Sequence, residues 1–199
     1  MSITAVILAA GASRRMGSPK ALLELQGETY LARIARTARA AGVSHILVVA
    51  GPPHGERVRA RLPVGAAVIW NPDPGRGMFS SVQAGVAGLP RGTLSALVWP
   101  VDQPLVREDT VRRVLAAQPG RIAIPRHQGR GGHPVRIPVA CFGPLLALPA
   151  DATLKELIDR QAALRVDVDV EDEWAVRDVD TPEEAQAAAE QARPPAGSS

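Results

Sequence analysis

The sequence predicts one α/β domain built on a mainly parallel β-sheet with helices on both faces. Short apolar runs alternate with amphipathic segments along the first two-thirds of the 199-residue chain. Such alternation implies crossover connections, which place strands parallel and cover both faces of the sheet. A hydrophobic content of 46% and a charged content of 22% are typical of a globular chain with one continuous core. We therefore expect a single-domain, Rossmann-like fold.

The apolar runs predict the strands of the first two-thirds of the chain. They are Ala5–Ala9, His45–Ala50, Ala66–Trp70, Ala96–Trp99 and Arg121–Pro125. Apolar residues at helical spacing predict the helices between these strands. These residues are Leu31, Ile34, Ala35 and Ala38, then Val58 and Leu62, then Val82, Val86 and Leu89, and then Val111, Val114 and Leu115. Gly42 is a suitable stop for the first helix, and Asp109 is the expected N-cap of the last.

The last third is less regular. We predict strands at Pro134–Ile137 and Leu164–Val170 and helices at Leu145–Leu148 and Leu154–Ile158. The strict alternation of Leu164–Val170 indicates a strand with one solvated face.

A final helix is expected to run to Gln191. Thr181 is placed as its N-cap, with Pro182 at the first helical position and Glu184 at the third. Because no linker interrupts the chain, we expect one domain over residues 1–192. Residues 193–199 have nothing to bury and are expected to be disordered.

Composition excludes several classes of function. The net charge of +3 is small and aromatic residues make up only 3%, so nucleic-acid binding by base stacking is not expected. No apolar run approaches the roughly 20 residues of a membrane span. Cys141 is the single cysteine, which rules out an intrachain disulfide or a cysteine metal site. The chain shows no signal peptide at its start, and we expect a cytoplasmic protein.

The segment after the first predicted strand is the clearest candidate for ligand binding. It reads A-V-I-L-A-A-G-A-S-R-R-M-G-S-P-K over residues 5–20. Its small residues allow backbone N–H groups to approach a phosphate or a base edge, and Lys20 adds a compact positive charge. The chain has only two lysines against twenty-one arginines, so a lysine here indicates that an ammonium is needed. The segment matches neither G-x-x-x-x-G-K-[ST] nor G-x-G-x-x-G.

The segment instead resembles the L-A-A-G-x-S-x-R-M-G-x-x-K signature of the molybdenum-cofactor nucleotidyltransferase family, most closely its cytidylyltransferase branch. Every fixed position of that signature is matched. The matching residues are Leu8, Ala9, Ala10, Gly11, Ser13, Arg15, Met16, Gly17 and Lys20. The resemblance implies that Leu8, Ala9, Ala10, Gly11 and Ser13 contact the nucleotide and that Arg15 and Lys20 take up triphosphate charge.

Asp102 follows directly after an apolar strand, in the run V-W-P-V-D-Q-P. This position places it at the carboxyl edge of the sheet, where α/β proteins bind ligands. A carboxylate there suits Mg²⁺, which binds one or two carboxylates together with phosphate oxygens. The D-Q-P run also matches the family, which implies a catalytic, metal-binding role for Asp102.

Asp178 and Asp180 are candidates for the second metal ligand. In an extended segment their side chains point the same way, and the pair repel each other unless a cation lies nearby. The D-V-D-T-P run resembles the family's D-[IV]-D-T-P, in which one acid completes the metal site. We favour Asp178, because Asp180 lies against a helix start whose positive partial charges already satisfy it. The alternative is that Asp180 only caps the final helix, alongside Thr181.

Two further matches concern the substrates. Residues 71–81 resemble N-P-x-x-x-x-G-M-x-x-S, which implies that Asn71 and Ser81 help to hold the nucleotide. Residues 129–134 resemble G-x-x-G-H-P, which implies that His133 contacts the acceptor. Where family members carry G-D-x-G-A-R, this chain reads A-D-A-T-L-K, so only Asp151 and the basic Lys155 are retained. Lys155 is therefore an acceptor-site candidate, and the identity of the acceptor stays open.

The function implied by the resemblance is a Mg²⁺-dependent nucleotidyltransferase. An acceptor phosphate oxygen would attack the α-phosphorus of a nucleoside triphosphate and expel pyrophosphate. The L-A-A-G form favours CTP over GTP, and the acceptor implied is molybdopterin, with a molybdoenzyme as a candidate partner. Two alternatives are a sugar-phosphate nucleotidylyltransferase and a non-catalytic nucleotide-binding protein that delivers the cofactor.

Overall fold

The predicted strands assemble into one twisted sheet. The computed structural model describes residues 2–11, 18–181, 183–184 and 186–187. The strands in these residues are β1 (Ile3–Leu8), β2 (Glu24–Leu25), β3 (Glu28–Thr29), β4 (His45–Ala50), β5 (Ala66–Trp70), β6 (Ser95–Pro100), β7 (Ile122–His127), β8 (Arg130–Gly131), β9 (Val135–Pro138) and β10 (Arg165–Asp169). The helices are α1 (Tyr30–Ala40), α2 (Gly55–Arg59), α3 (Met78–Ala87), α4 (Glu108–Ala116), α5 (Phe142–Ala147) and α6 (Leu154–Arg160). In this described part of the chain, no helix is long and apolar enough to cross a membrane.

The main sheet is mostly parallel, which confirms the predicted fold class. Its strand order is β10-β7-β9-β6-β1-β4-β5, with β8 paired to β7. Strand β1 is parallel to both β4 and β6. Strand β9 is antiparallel to both of its neighbours, β6 and β7. The strand pattern at Pro134–Ile137 predicted a strand but carried no information on its direction.

Helices cover both faces because side chains alternate along β1. Ala5, Ile7 and Ala9 belong to the core that contains α1 and α4. Val6 and Leu8 belong to the opposite core, together with residues of α3, α5 and α6. Helix α3 lies very close to the sheet at Gly85, where an added Cβ atom would lie 2.3 Å from Cγ1 of Val6. This packing places the start of α3 beside the carboxyl end of β1.

The predicted cap of α4 is wrong. The helix begins at Glu108, and Asp109 forms an ion pair with Arg113 at 3.0 Å. The buried carboxylate of Asp172 instead accepts hydrogen bonds from the backbone N–H of Arg107 at 2.8 Å and the hydroxyl of Thr110 at 2.7 Å. The start of α4 is therefore satisfied by a residue from a distant part of the chain.

The predicted start of the final helix is confirmed. The backbone N–H of Glu184 donates to the Thr181 hydroxyl at 3.1 Å, and the Glu184 carboxylate accepts from the backbone N–H of Thr181 at 3.2 Å. This reciprocal pair is a capping box. The predicted end at Gln191 and the tail at 193–199 lie outside the described residues.

Candidate active site

A cleft of about 630 Å³ lies at the carboxyl ends of the central strands β1 and β6. Segments from five parts of the chain line it. They are Leu8–Gly11 after β1, Lys20 and Ala21, Pro74 with Met78 and Ser81 around the start of α3, Pro100–Asp102 after β6, and Asp180 with Thr181. The cleft therefore lies where ligands bind in open α/β sheets.

The Leu8–Gly11 segment presents backbone and small side chains to the cleft. Ala9 and Ala10 are buried, and the backbone N–H of Ala9 donates to the Val49 carbonyl at 2.9 Å. An added Cβ atom on Gly11 would meet none of the described residues within 4 Å. Ser13 and Arg15, which were predicted to contact the nucleotide, lie outside the described residues.

Lys20 lies between two carboxylates in the cleft. It begins a short 3-10 helix, Lys20–Leu22. Its Nζ atom is 2.5 Å from Oδ1 of Asp180 and 3.8 Å from Oδ2 of Asp102. The structure thus brings together three of the sequence-predicted site residues from the beginning, the middle and the end of the chain.

A backbone hydrogen bond joins the two acidic segments. The N–H of Val179 donates to the carbonyl of Asp102 at 2.7 Å. The Val179 side chain is buried in a small apolar cluster with Leu25, Tyr30, Leu105 and Trp174. Val179 is therefore anchored next to Asp102, and of the two aspartates that flank it Asp180 lines the cleft. Asp178 lies close enough to Asp102 for its charge to act on the Asp102 carboxyl.

Asp102 is held in an unfavourable environment for a negative charge. Burial raises the pKa of its carboxyl, the charge of Asp178 raises it further, and the nearby Lys20 ammonium opposes both effects. Its Oδ1 atom is buried and has no hydrogen-bond partner among the described residues. A buried carboxylate oxygen of this kind fits the ligand set of a hard divalent cation.

Among the described residues, Thr181 supplies the capping oxygen of the final helix, and the carboxylate of Asp180 pairs with Lys20. The preference for Asp178 over Asp180 as a metal ligand stays a prediction, and the Lys20 ammonium adds a positive charge beside Asp180. Asp178 has a different partner, because its Oδ1 atom accepts a hydrogen bond from Nε2 of Gln103 at 3.0 Å.

The three acids do not form one complete protein ligand set. In residues 2–11, 18–181 and the described positions beyond them, no three acidic, histidine or cysteine side chains converge on a point that could hold a metal ion. A site with two carboxylates fits the geometry better. Mg²⁺ is commonly bound in this way, with water and substrate phosphate oxygens as the remaining ligands.

Asn71 orients a residue of the cleft through its side-chain hydrogen bonds. It is buried, and its Nδ2 atom donates to the hydroxyl oxygens of Ser80 at 3.0 Å and Ser81 at 2.9 Å. Ser81 lines the cleft, and Asn71 fixes it at the start of α3. The structure therefore places Ser81 where it can contact a ligand and Asn71 where it orients Ser81.

The two predicted acceptor residues lie in different environments. His133 is half-buried, and its backbone N–H donates to the Ala175 carbonyl at 2.8 Å. Burial lowers the pKa of its imidazole to about 4, and the charge of Asp178 opposes this shift. Lys155 lies on α6, where its side chain is 82% exposed and pairs with Asp159 at 2.5 Å. The structure does not bring Lys155 to the cleft.

Sequence reasoning missed Gln103 and Met78. Gln103 lies inside the D-Q-P run and is only 5% exposed. The sequence pattern assigned a site role to the aspartate of this run and none to the glutamine. Met78 lines the cleft with more than half of its side chain exposed. It occupies the methionine position of the N-P-x-x-x-x-G-M-x-x-S match, which was the available signal.

The fold and the cleft define an α/β protein with a ligand-sized cleft at the carboxyl ends of its central strands. The chain matches the family described as "MobA-like NTP transferase domain" over residues 5–166. It belongs to this family.

Characterised relatives cover nearly the whole chain. It is 35% identical over 195 residues to nicotine blue oxidoreductase of Paenarthrobacter nicotinovorans, covering 92% of this chain and 94% of the relative. It is 28% identical over 187 residues to molybdenum cofactor cytidylyltransferase of Escherichia coli strain K12, covering 92% and 93%. These relatives have different activities, so membership of the family does not by itself define the substrate.

A solved structure shows the same architecture. The crystal structure of Rv0371c from Mycobacterium tuberculosis H37Rv superimposes with a TM-score of 0.77 at 27% identity, covering 96% of this chain and 99% of that one. The same protein in complex with manganese gives a TM-score of 0.72 at 27% identity, covering 85% and 89%.

Proposed function

We propose that this protein transfers a nucleoside monophosphate, from CTP in preference to GTP, to a phosphorylated acceptor of the molybdopterin class. The observation that carries the proposal is the position of Lys20 between Asp180 and Asp102, in the cleft that Leu8–Gly11 also lines. This arrangement offers one cation for the triphosphate, carboxylates for a metal and a small-residue backbone for the base.

The reaction would join an acceptor phosphate oxygen to the α-phosphorus and break the bond to pyrophosphate. It requires positioning and charge neutralisation and no covalent enzyme intermediate. In the proposed arrangement, the backbone of Leu8–Gly11 contacts the base edge. Arg15 and Lys20 bind the triphosphate, and Ser81 contacts the nucleotide from the start of α3.

We propose Mg²⁺ as the cation, held by Asp102 and Asp178. The buried and unpartnered Oδ1 atom of Asp102 supports the first ligand. Asp178 is proposed as the second ligand, because its charge acts on the Asp102 carboxyl and the carboxylate of Asp180 is paired with Lys20. When bound, the cation would neutralise charge on the phosphate oxygens. The manganese complex of Rv0371c supports a divalent cation in this fold.

The acceptor is proposed from the relatives and from His133. The relative from Escherichia coli is named for cytidylyl transfer in molybdenum cofactor synthesis. His133, whose low pKa keeps its imidazole neutral at pH 7, is proposed to form a hydrogen bond to the acceptor. The exposed position of Lys155 removes the support for an acceptor contact at that residue. Action in the cytoplasm and delivery of the product to a molybdoenzyme are part of this proposal.

A second candidate function is an oxidoreductase. The 35% identity to nicotine blue oxidoreductase over 92% of the chain favours it specifically. In that case the protein would catalyse a redox reaction, and no pyrophosphate would be released. A sugar 1-phosphate is the alternative acceptor for the transferase reaction.

Pyrophosphate release would test the proposal. The protein would be incubated with each of the four NTPs, with molybdopterin, a sugar 1-phosphate or no acceptor, in Mg²⁺ or EDTA. We expect release only with molybdopterin and Mg²⁺, fastest with CTP, and none from Asp102→Asn. Pyrophosphate release with the sugar 1-phosphate but not with molybdopterin would show that the acceptor is a sugar phosphate. Oxidation of a reduced nicotinamide without pyrophosphate release would contradict the transferase and support the oxidoreductase.

A further inference from the structure

Gln103 occupies a position that its contribution to packing does not explain. Its side chain is 5% exposed, yet its Oε1 atom is buried and has no hydrogen-bond partner in the part of the chain that the structure describes. A buried polar group without a partner is destabilising, and an apolar side chain of similar size avoids that cost. Stability alone therefore does not favour glutamine here.

The backbone holds Gln103 firmly in place. Its carbonyl accepts a hydrogen bond from Nε1 of the fully buried Trp99 at 3.0 Å, and its N–H donates to the Pro100 carbonyl at 3.3 Å. Trp99 is part of β6, in the centre of the sheet. The Gln103 amide thus extends from a rigid support.

The amide has one side-chain partner, and that partner is Asp178. Nε2 of Gln103 donates to Oδ1 of Asp178 at 3.0 Å across 75 residues of sequence. The orientation of the amide is the one chemistry requires, because an ionised carboxylate accepts hydrogen bonds and cannot donate them. Asp178 is exposed, so without this contact several side-chain rotamers are open to it.

We propose that Gln103 is a positioning residue, which holds the Asp178 carboxylate in place for the divalent cation shared with Asp102. The proposal rests on the metal site of the proposed function. One oxygen of Asp178 is engaged by the amide, which leaves the other for the cation. Residues bound to metal-ligating side chains orient those ligands, and removing them typically weakens metal affinity by about 10–100-fold.

Binding of Mn²⁺ alone, followed by electron paramagnetic resonance of the free ion, tests this role. We expect Gln103→Leu to weaken Mn²⁺ binding by about tenfold or more. Its melting temperature should equal or exceed that of the parent, because the unpartnered amide is removed from a buried position. A purely structural glutamine would give the opposite pattern, with a lower melting temperature and unchanged Mn²⁺ affinity, and that result would overturn the proposal.

A double-mutant cycle separates this contact from indirect effects. Gln103→Leu should have no further effect on Mn²⁺ affinity in the Asp178→Asn background. Equal losses in both backgrounds would show that Gln103 acts by another route and would contradict the proposal.

Gln83 offers a matched control. Its amide donates to the carbonyls of Leu145 at 3.2 Å and Leu148 at 2.8 Å, and so joins α3 to α5. Gln83→Leu should lower the melting temperature and leave Mn²⁺ affinity unchanged.

If the parent protein binds no Mn²⁺, the metal site of the proposed function fails and this inference fails with it. If the parent binds Mn²⁺ and Gln103→Leu binds it equally well, only the role of Gln103 is contradicted.

Discussion

Lys20 is the residue on which the charge balance of the cleft depends. Its ammonium lies within 4 Å of carboxylate oxygens from Asp102 and Asp180. In the proposed metal site, a divalent cation at Asp102 and the ammonium of Lys20 would compete for the same negative charge. A bound triphosphate would relieve this competition, because it offers Lys20 new oxygens. We therefore expect nucleotide binding and cation binding to be coupled through Lys20.

Replacing Lys20 by methionine should have opposite effects on two measurements. Without nucleotide, the affinity for Mn²⁺ should rise, because a competing positive charge is removed from the carboxylates. In the pyrophosphate-release assay, kcat/KM should fall by roughly 10²–10³, the loss typical of removing one preorganised charge stabiliser.

The only other lysine of the chain provides the control. Lys155→Met removes the same charge from an exposed ion pair with Asp159 on α6. It should change neither Mn²⁺ affinity nor turnover. A Lys20→Met protein that binds Mn²⁺ no better than the parent would contradict the competition.

His133 should make folding stability depend on pH. Burial lowers the pKa of its imidazole to about 4, below the value of about 6.5 in the unfolded chain. The unfolded state therefore binds more protons between these values, and the free energy of unfolding should decrease as the pH falls from 6.5 to 4. The raised pKa of Asp102 acts in the opposite direction at the acidic end.

Comparison with His133→Asn isolates the histidine, because Asp102 is present in both proteins. Urea denaturation between pH 7 and pH 4 should show a weaker pH dependence for the variant. If the free energy of unfolding changes with pH in the same way for both proteins, the imidazole of His133 is not held neutral by its surroundings.

At the scale of the element, two neighbouring residues at the start of the final helix have different roles. Thr181 and Glu184 form the capping box, whereas Asp180 pairs with Lys20. Tyr30, whose pKa burial raises to about 12, donates a hydrogen bond to the Thr181 carbonyl at 3.4 Å. The helix start is therefore tied to α1 by a group that stays protonated.

Substitution separates the two roles. Thr181→Ala should destabilise the protein by about 0.5–2 kcal/mol, the usual cost of losing an N-cap. Asp180→Asn should cost less, because its surface ion pair contributes little to stability. Thermal unfolding of both variants measures this difference in stability. A larger loss of stability for Asp180→Asn than for Thr181→Ala would show that Asp180 is the main cap of the helix.

At the scale of the whole molecule, the segment from Asp172 to Thr181 runs from the start of α4 to the cleft. Asp172 fixes its beginning at α4, and Gly132 packs against its middle so closely that an added Cβ atom would lie 1.7 Å from the Ala175 carbonyl oxygen. Val179 fixes its end at Asp102. The position of Asp178 depends on all three contacts.

Asp172→Ala should therefore affect both stability and the site. Three donors, the N–H groups of Arg107 and Trp174 and the hydroxyl of Thr110, lose a charged acceptor, which costs about 1.5–3 kcal/mol for each bond. Urea denaturation should show this loss, and Mn²⁺ affinity should fall because the segment that carries Asp178 is loosened. Reduced stability with unchanged Mn²⁺ affinity would show that the docking of this segment does not position the acid.

Local patterns in the sequence were sufficient for most elements. His45–Ala50 and Ala66–Trp70 form strands with the predicted bounds, because runs of β-branched and other apolar residues favour a strand locally. The placement of Lys20 and Asp102 at one cleft followed from a general property, namely that the carboxyl ends of parallel strands share an edge. The capping box of Thr181 and Glu184 is also a local signal.

The sequence by itself thus determined the α/β class and pointed to Lys20, Asp102 and Asp180, which line the cleft, because these predictions depend on residues close together in the chain. Only the tertiary structure decided the antiparallel direction of β9, the capping of α4 by Asp172 and the exposure of Lys155. It also decided that Asp180 pairs with Lys20 and that Gln103 binds Asp178. These contacts join side chains 160 and 75 residues apart, so they depend on strand order and packing, which no local periodicity encodes.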